Sequence, residues 1–323
     1  MLKFASLKLA LWELRLWGVR RLSGIAPTLS SKIFFRIFLK KRLDLKNPRT
    51  LNEKIMWLKL NTYKDNFLVT KCIDKVEVRD YVSASGLNHI LVPLIHVWHN
   101  VDDIVWDDLP NSFALKCNHG CGYNILCYKK STLDTRKAKA LLERWMEEEH
   151  WRKFAEINYK NIHPKILCEK YLRGSNDNLP PEDYKLYCFN GQAKYILLCK
   201  GRECPNSRNN NTKFYFFDIN WKLAKINSDS ILANEDLLPT KPEELEDMIK
   251  YANILSKPFP FVRIDFYLVF EEGWIGKKIY FGEMTFTPSS GLDYARLPET
   301  DLMFGDMVDL NYMGANNTGV GCI

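Results

Sequence analysis

Residues 112–130 of the chain, SFALKCNHGCGYNILCYKK, form the stretch that is most informative about the fold. Apolar and polar residues alternate through 112–118, which is typical of a half-buried β-strand. Small and polar residues follow at 118–124, and a second apolar run begins at Ile125. This pattern predicts a β-hairpin whose tip is rich in glycine.

A hairpin tip of this composition is suited to binding phosphate groups. Glycines such as Gly120 and Gly122 allow backbone N–H groups to approach phosphate oxygens closely. Lys116, just before the tip, would add a positive charge for the same phosphates. The stretch lacks the GxxxxGK[ST] motif and the strand-to-helix context of a P-loop, so an ordinary tight hairpin is the alternative at this point.

Two later segments, FVRIDFY at 261–267 and GEMTF at 282–286, place acidic residues on predicted neighbouring strands. In a strand, Arg263 and Asp265 share one face, because side chains alternate between faces. Asp265 and Glu283 would then offer the carboxylate oxygens that Mg²⁺ prefers, with phosphates and water completing its shell. A surface ion pair between aspartate and arginine, without a metal, is the alternative.

The rest of the chain predicts an α+β protein dominated by antiparallel hairpins. Asn190 and Gly191 form the favoured turn pair of a hairpin over 184–200. Helices are predicted at 51–61, 74–86, 134–150 and 241–257. Further strands are predicted at 90–98, 164–172, 213–221, 261–270 and 278–291.

Charge is distributed unevenly along the 323 residues. Residues 1–49 hold twelve Lys and Arg against two acidic residues, a net charge of +10. The whole chain carries +7, so the remainder carries −3. With 46% hydrophobic and 26% charged residues, the composition is that of a globular protein and excludes a disordered one.

The basic N-terminal segment has two interpretations. Lys8, Glu13 and Arg15 interrupt the apolar run of the first 22 residues, which argues against a signal peptide. Residues 1–46 are either an amphipathic anchor on an anionic membrane surface or a terminal helical segment packed on the body. A segment so rich in Leu and Phe suits nucleic acid poorly, so no nucleic-acid partner is predicted.

Cysteine and histidine spacings predict neither a disulfide framework nor a structural metal site. The nine cysteines are an odd number and form no CxxC pair, which favours a reducing cytoplasmic location. Cys117 and Cys121 flank the hairpin tip and are predicted to be packing residues rather than nucleophiles. The acidic residues of 101–110 could suggest a metal site for a sugar nucleotide, but a solvated loop is the preferred interpretation.

Seven motifs, in this order and spacing, closely resemble the TupA-like ATP-grasp family of bacterial surface-polysaccharide loci. They are LNEKIMWLKL (51–60), DKVEVRDYV (74–82), FALKCNHGCGYN (113–124), EKYL (169–172), DYKLYCFNGQAKYI (183–196), VRIDFY (262–267) and GEMTFTPSSG (282–291). The resemblance extends from about residue 49 to residue 310, and the N-terminal segment lies outside it.

The resemblance implies an ATP-grasp fold, in which two subdomains of antiparallel sheet and helices clasp ATP. A basic helical N-terminal extension would precede them. The implied organisation is an extension at 1–48, a helical region at 49–112, a subdomain with the phosphate loop at 113–172, and a C-terminal subdomain with the Mg²⁺ site at 173–323.

The resemblance also implies roles for individual residues. In the first subdomain, Lys116 would bind the α- and β-phosphates. The loop residues Asn118, His119, Gly120 and Gly122 would close over these phosphates. The adenine pocket would be lined by Glu169, Lys170 and Leu172. In the second subdomain the implied roles are Asp183 on the ribose, Lys185 towards the phosphates, Arg263 at the γ-phosphate, and Asp265, Glu283 and Thr285 on Mg²⁺. For His119, a hydrogen bond that shapes the loop is the alternative. Thr285 stands where many members have Asn, which leaves a second metal ion open.

The predicted activity is ATP-dependent ligation of a carboxylate to an amine through an acyl phosphate. The resemblance implies a uronic acid or similar acid and an amino acid or amine in surface-polysaccharide biosynthesis. One alternative is a glycosyltransferase. Others are a nucleotide-binding scaffold on the membrane without turnover and a kinase that stops at phosphoryl transfer.

Overall fold

The structure, a computed structural model, describes residues 16–174, 181–200, 212–271 and 276–314. Two antiparallel β-sheets organise these residues, and helices pack against both. The α+β architecture predicted from the hairpin pattern is confirmed.

The smaller sheet has the strand order β1–β4–β2–β3. Its strands are β1 (Leu94–Trp98), β2 (Phe113–Cys117), β3 (Asn124–Cys127) and β4 (Ile166–Lys170). The predicted hairpin is present as β2 and β3, with Lys116 opposite Asn124 at its tip. β1 comes from the predicted 49–112 region, yet it pairs with β4 as an edge strand of this sheet.

The larger sheet has the strand order β7–β6–β5–β8–β9. Its strands are β5 (Glu182–Phe189), β6 (Gln192–Lys200), β7 (Lys213–Asp218), β8 (Phe261–Phe270) and β9 (Lys277–Thr285). β5 and β6 join through Asn190 and Gly191, which both have positive φ, as the predicted hairpin turn requires. β8 lies between β5 and β9, and this order determines which acidic residues meet.

The four predicted helices are present, although those predicted from residues 74 and 241 begin only at Val78 and Leu245. The helices are α1 (Pro27–Leu39), α2 (Leu51–Leu60), α3 (Phe67–Ile73), α4 (Val78–Ala84), α5 (Thr135–Glu147), α6 (Ser228–Ile231), α7 (Leu245–Ser256) and α8 (Pro298–Asp306). Thr50 and Glu53 form a capping box that starts α2. The helix predicted from residue 74 begins only at Val78, because the Asp74 carboxylate accepts the Val76 N–H at 2.8 Å and closes a turn instead.

The larger sheet carries the main hydrophobic core. Helices α2, α3, α4, α7 and α8 contribute apolar residues to the same buried cluster as strands β5 to β9. The fully buried Tyr63 shows how closely the chain packs here, because its hydroxyl donates to the Phe261 carbonyl at 2.6 Å. The smaller sheet has a separate core with α5, centred on Phe113, Leu142 and Ile166.

The N-terminal segment is partly integrated into the body. Phe34 and Phe35 of α1 are buried in a cluster with Met56 and Leu292. Packing on the body, one of the two predicted interpretations, therefore describes the inner face of α1. Residues 1–15 lie outside the described residues. Among the residues that the structure describes, no helix is long and apolar enough to cross a bilayer.

Gly305 allows α8 to approach the start of α2 closely. A Cβ atom at this position would lie 1.9 Å from the Arg49 carbonyl oxygen and 2.8 Å from Thr50 Cα. We expect Gly305→Ala to lower the free energy of unfolding by about 2 kcal/mol or more, because backbone atoms must move apart. Urea denaturation measures this change.

Gly18→Ala is the matched control, because Gly18 is exposed on a helical segment and no atom lies within 4 Å of its added Cβ. This change should leave stability unchanged or raise it by about 0.5–1 kcal/mol. Equal unfolding free energies for the two variants would contradict the close approach of α8 and α2.

Candidate active site

A cavity of 280 Å³ lies between the two sheets, and residues of both sheets line it. The predicted site residues that line this cavity, called here the nucleotide cavity, are Lys116, Gly122, Glu169, Lys170, Leu172, Asp183, Lys185 and Glu283. The fold thus brings together residues that are up to 167 positions apart in the chain. Their individual roles stay predictions.

A buried ion cluster lies at the edge of this cavity, on neighbouring strands of the larger sheet. Lys185 on β5 stands opposite Asp265 on β8. The Lys185 ammonium lies 2.5 Å from Asp265 Oδ2 and 2.7 Å from Asp183 Oδ2. Arg263 donates to both oxygens of Asp265, each at 2.7 Å. The predicted sharing of one sheet face by Arg263 and Asp265 is therefore present.

This cluster shifts the pKa values of its members. Burial disfavours the charge of Asp265, but Arg263 and Lys185 outweigh burial and lower its pKa below the usual value. Burial likewise disfavours the charge of Lys185, yet Asp265 and Asp183 raise its pKa above the ordinary lysine value. Asp265, Lys185 and Arg263 are therefore all charged at neutral pH, and ion pairs hold their side chains in position.

Glu283 and Thr285 complete the predicted metal site. Glu283 on β9 stands opposite Asp265, and its side chain is 35% exposed and lines the nucleotide cavity. The Thr285 hydroxyl accepts from Arg263 at 3.1 Å and donates to Glu283 at 3.3 Å. Two carboxylates and a hydroxyl beside a cavity fit Mg²⁺, which uses few protein oxygens and takes the rest from phosphate and water. Asp265 accepts three hydrogen bonds from Arg263 and Lys185, which leaves one lone-pair site of its carboxylate for a metal ion.

Lys116 and Glu169 form an ion pair in the opposite wall of the cavity. Lys116 Nζ lies 2.7 Å from Glu169 Oε2, and Arg79 Nη1 lies 3.0 Å from Glu169 Oε1. Arg79 also donates to the Val92 carbonyl at 2.7 Å, so it fixes the carboxylate from behind. Nothing in the local sequence near 116 or 169 indicates Arg79, because the contact depends on the tertiary fold.

The hairpin tip directs several predicted loop side chains inward. The Asn118 amide donates to Asp74 at 2.8 Å, and its oxygen accepts the Lys165 N–H at 2.7 Å. His119 is buried, with Nε2 3.0 Å from the Trp145 carbonyl, which is the predicted alternative of a hydrogen bond that shapes the loop. Gly120 packs so closely that a Cβ would lie 2.4 Å from the Tyr123 ring. The predicted phosphate contact of these three residues would therefore use backbone groups.

Two other tip residues face the cavity. Gly122 has a φ of +79°, which favours glycine, and lines the nucleotide cavity with Cys121. Cys117 is buried, as predicted for a packing residue. Cys121 is exposed at the cavity wall, so the packing part of its prediction is wrong. Partial desolvation raises the pKa of its thiol, which agrees with the prediction that it is not a nucleophile. Lys75 donates to the Gly120 carbonyl at 2.6 Å and holds the tip against the body.

The family assignment follows from the sequence match together with this geometry. The model of a family described as TupA-like ATPgrasp matches residues 53–309, which is well over half of the 323 residues. The chain belongs to the TupA-like ATP-grasp family. This ATP-grasp family consists of ATP-dependent ligases that form carbon–nitrogen bonds, and the chain is an enzyme of that class. No curated protein matches the sequence.

Several solved structures resemble this TupA-like protein at low sequence identity. A D-alanine–D-alanine ligase from Bacillus anthracis is 15% identical over 79% of this chain and 67% of that one, with a TM-score of 0.38. An L-amino acid ligase from Bacillus licheniformis is 13% identical over 83% and 57%, with a TM-score of 0.43. The N5-carboxyaminoimidazole synthetase from Staphylococcus aureus, complexed with ADP, is 13% identical over 73% and 52%, with a TM-score of 0.39.

Lys59 is a supporting residue of the TupA-like site whose role sequence analysis missed. Its fully buried ammonium donates to the Phe154 carbonyl at 2.8 Å and to the Ser290 carbonyl at 3.0 Å. Ser290 lies in the turn Pro288–Gly291 after β9, where Ser289 and Ser290 have φ of +50° and +57°. Lys59 thus stabilises a backbone conformation that serine adopts reluctantly. The sequence feature that could have indicated this role is the position of Lys59 among apolar residues on the buried face of α2.

Lys59 gives the stability of the protein a specific pH dependence. Burial lowers the pKa of Lys59 to about 8, against 10.5 for an ordinary lysine. Between these two values the unfolded chain holds a proton that the folded chain has lost, so this group makes stability rise with pH. From pH 7 to pH 10 the stability of the wild type should gain about 2 kcal/mol relative to Lys59→Met.

Urea denaturation of both proteins at the two pH values measures this difference. Lys41→Met is the control, because it removes an exposed lysine outside the buried site. Parallel pH profiles of the wild type and Lys59→Met would show that the Lys59 ammonium is not held in a buried site.

Proposed function

We propose that this protein joins a carboxylate substrate to an amine at the expense of ATP, with the nucleotide in the cavity between the two sheets. The observation that carries the proposal is the cluster of Lys185, Arg263 and Asp265 beside Glu283, at one end of a cavity whose opposite wall holds Lys116. Catalysis of phosphoryl transfer depends mainly on positioning and charge neutralisation, and this cluster supplies both.

The reaction would proceed in two steps. A carboxylate oxygen attacks the γ-phosphorus of ATP, the bond to the bridging oxygen of ADP breaks, and an acyl phosphate forms. The amine then attacks the acyl carbon, inorganic phosphate leaves, and the nitrogen loses a proton as the amide forms. Lys185 lines the nucleotide cavity and would neutralise charge on the transferring group, while Arg263, held by Asp265 next to Lys185, would add positive charge from the adjoining side.

The composition of the cavity walls supports the proposed position of the nucleotide. Leu172, Val92 and Tyr267 provide apolar surface for a base, and Asp183 lies in the wall nearer the ion cluster. Glu283, with Asp265 and Thr285, would hold Mg²⁺. When bound, this ion would neutralise phosphate charge and hold the phosphates in line for transfer.

We expect Glu283→Gln to lower kcat by roughly 10²- to 10³-fold, because it removes the most accessible carboxylate of the metal site. The Mg²⁺ concentration needed for half-maximal rate should rise as well. ADP release with ATP, Mg²⁺, D-glucuronate or D-galacturonate, and a panel of L-amino acids measures both effects.

Glu143→Gln, on the exposed surface of α5, is the matched control and should keep the full rate. Asp265→Asn tests the second carboxylate, with circular dichroism as a check that the fold persists. Unchanged turnover in Glu283→Gln would refute the metal assignment. Release of UDP from a sugar nucleotide, with no ADP release, would establish the glycosyltransferase instead.

The proposal extends to surface-polysaccharide biosynthesis in the cytoplasm, at the inner face of the membrane. The outer face of the N-terminal segment supports this location. Trp17, Ile25 and Leu29 are exposed large apolar residues, and Lys32 and Arg36 lie on the same exposed side of α1 as Leu29. Residues 16–43 contain seven Lys and Arg and no acidic residue. Apolar and basic side chains on one surface suit anionic lipid.

We therefore expect the double substitution Lys32→Gln/Arg36→Gln to reduce binding to anionic vesicles by roughly tenfold or more. Each basic residue near such a surface contributes about 1 kcal/mol, and the effect should weaken with salt. Sedimentation with phosphatidylglycerol vesicles measures binding. Arg136→Gln/Lys137→Gln, an exposed basic pair on α5, is the charge-matched control. Equal losses in the two variants would show that only net charge matters.

A further inference from the structure

A second cavity of 330 Å³ adjoins the ion cluster on the larger sheet. Lys185 lines both this cavity and the nucleotide cavity, so the two cavities adjoin at this residue. The charged residues that line the second cavity are Lys185, Arg263, Arg296, Asp229 and Asp293. The predicted roles of the sequence motifs use Lys185 and Arg263 and leave the other three without a function.

Arg296 has an incomplete set of hydrogen bonds. Its side chain is 2% exposed, and its Nη2 donates to Asp293 at 2.9 Å. Nε lies 3.9 Å from Asp301, and neither Nε nor Nη1 has a hydrogen-bond partner among the residues that the structure describes. A buried donor without an acceptor costs about 1–3 kcal/mol. An anionic oxygen that entered the cavity beside Arg296 would supply acceptors.

Aromatic packing fixes the position of this guanidinium. Its central carbon lies 4.8 Å from the Phe304 ring centroid, 5.5 Å from that of Tyr187 and 5.8 Å from that of Phe216. Tyr187 is two residues from Lys185 on β5, so both side chains share a sheet face. Two residues along a strand span about 7 Å. A small molecule bound to Arg296 at one end could therefore reach the ion cluster with its other end.

The same cavity also offers negative charge. Asp229 Oδ2 accepts the Phe214 N–H at 3.1 Å, which holds this carboxylate in the cavity wall. Asp293 is held in a similar way, because its N–H donates to Asn52 at 2.9 Å while its carboxylate pairs with Arg296. A cavity with a fixed guanidinium and two fixed carboxylates is complementary to a molecule that carries both charges.

We propose that Arg296 is the specificity-determining residue for the amine substrate and binds its carboxylate group. Asp229 and Asp293 accept its ammonium group before reaction, so the amine substrate is a zwitterion of the amino-acid type. This inference rests on the proposed ligase function, because it assigns the second substrate of that reaction to the second cavity. The amine then enters from the side of the ion cluster that the nucleotide does not occupy.

Equilibrium binding tests this assignment directly. Saturation-transfer NMR with the twenty L-amino acids and their carboxamides, in the presence of ADP and Mg²⁺, should detect an amino acid that binds. Its carboxamide, which lacks the negative charge, should bind at least tenfold more weakly. We expect Arg296→Gln to weaken binding of the amino acid by about 10- to 100-fold and to leave ADP affinity unchanged.

Asp229→Asn is the second variant, and it keeps the proposal testable if Arg296→Gln fails to fold. We expect Asp229→Asn to fold, because the new amide oxygen still accepts the Phe214 N–H. It should weaken binding of the amino acid while leaving ADP affinity unchanged. Arg136→Gln on the surface is the control for loss of positive charge. The proposal is overturned if no amino acid binds, if the carboxamide binds equally well, or if both cavity variants retain wild-type affinity.

Turnover separates this proposal from the ligase function. Amino-acid binding that depends on Arg296, without ADP release for any carboxylate donor, would refute the ligase reaction and leave the binding site established. ADP release with simple amines that lack a carboxylate, at rates equal to those with amino acids, would support the ligase and overturn the role of Arg296.

Discussion

Asp265 keeps its negative charge with 1% of its side chain exposed, because Arg263 and Lys185 hold it from two sides. Removing one partner from a buried ion pair typically costs 3–5 kcal/mol, so none of the three groups is independent of the others. The cluster joins β5 to β8, the central strands of the larger sheet, and it brings Glu283 of β9 to the same edge. The two cavities adjoin at this cluster, because Lys185 lines both of them.

Contacts between the two sheets define the shape of the nucleotide cavity. Lys170 at the end of β4 pairs with Glu271 beyond β8, and Glu271 also accepts from Tyr280 of β9 at 2.6 Å. Burial opposes the charge of Glu271, but these partners and Lys278 lower its pKa to about 2. This polar contact lies on the same side of the molecule as the predicted adenine residues. The smaller sheet is therefore connected to the larger one by charge as well as by the chain.

Much of this fold could be predicted from local sequence, and the reason is visible in particular elements. The hairpin of β2 and β3 and the turn at Asn190 and Gly191 depend on residues that are neighbours in the chain. The shared face of Arg263 and Asp265 follows from strand periodicity alone. Asn118, in contrast, lies in a segment with the composition of a phosphate loop, but its side-chain amide donates to Asp74. This contact could not be predicted, because the two segments meet only in the tertiary structure.

The same distinction explains which parts of the site could not be predicted. Arg79 lies within the motif DKVEVRDYV, but its partner Glu169 is 90 positions away in the chain. Arg296 lies outside the seven motifs and contacts three separate aromatic residues. The significance of Arg296 depends on its burial and on donors that are unmatched among the described residues, which are properties of the folded state.

The cluster formed by Phe34 and Phe35 with Met56 and Leu292 has a consequence for what counts as the folding unit. The family match begins at residue 53, yet two of the most deeply buried aromatic side chains precede it. Leu292 belongs to this cluster and also lines the second cavity. A chain shortened to the family boundary would therefore lose the packing behind a wall of that cavity. The unit that folds is larger than the unit that sequence comparison delimits.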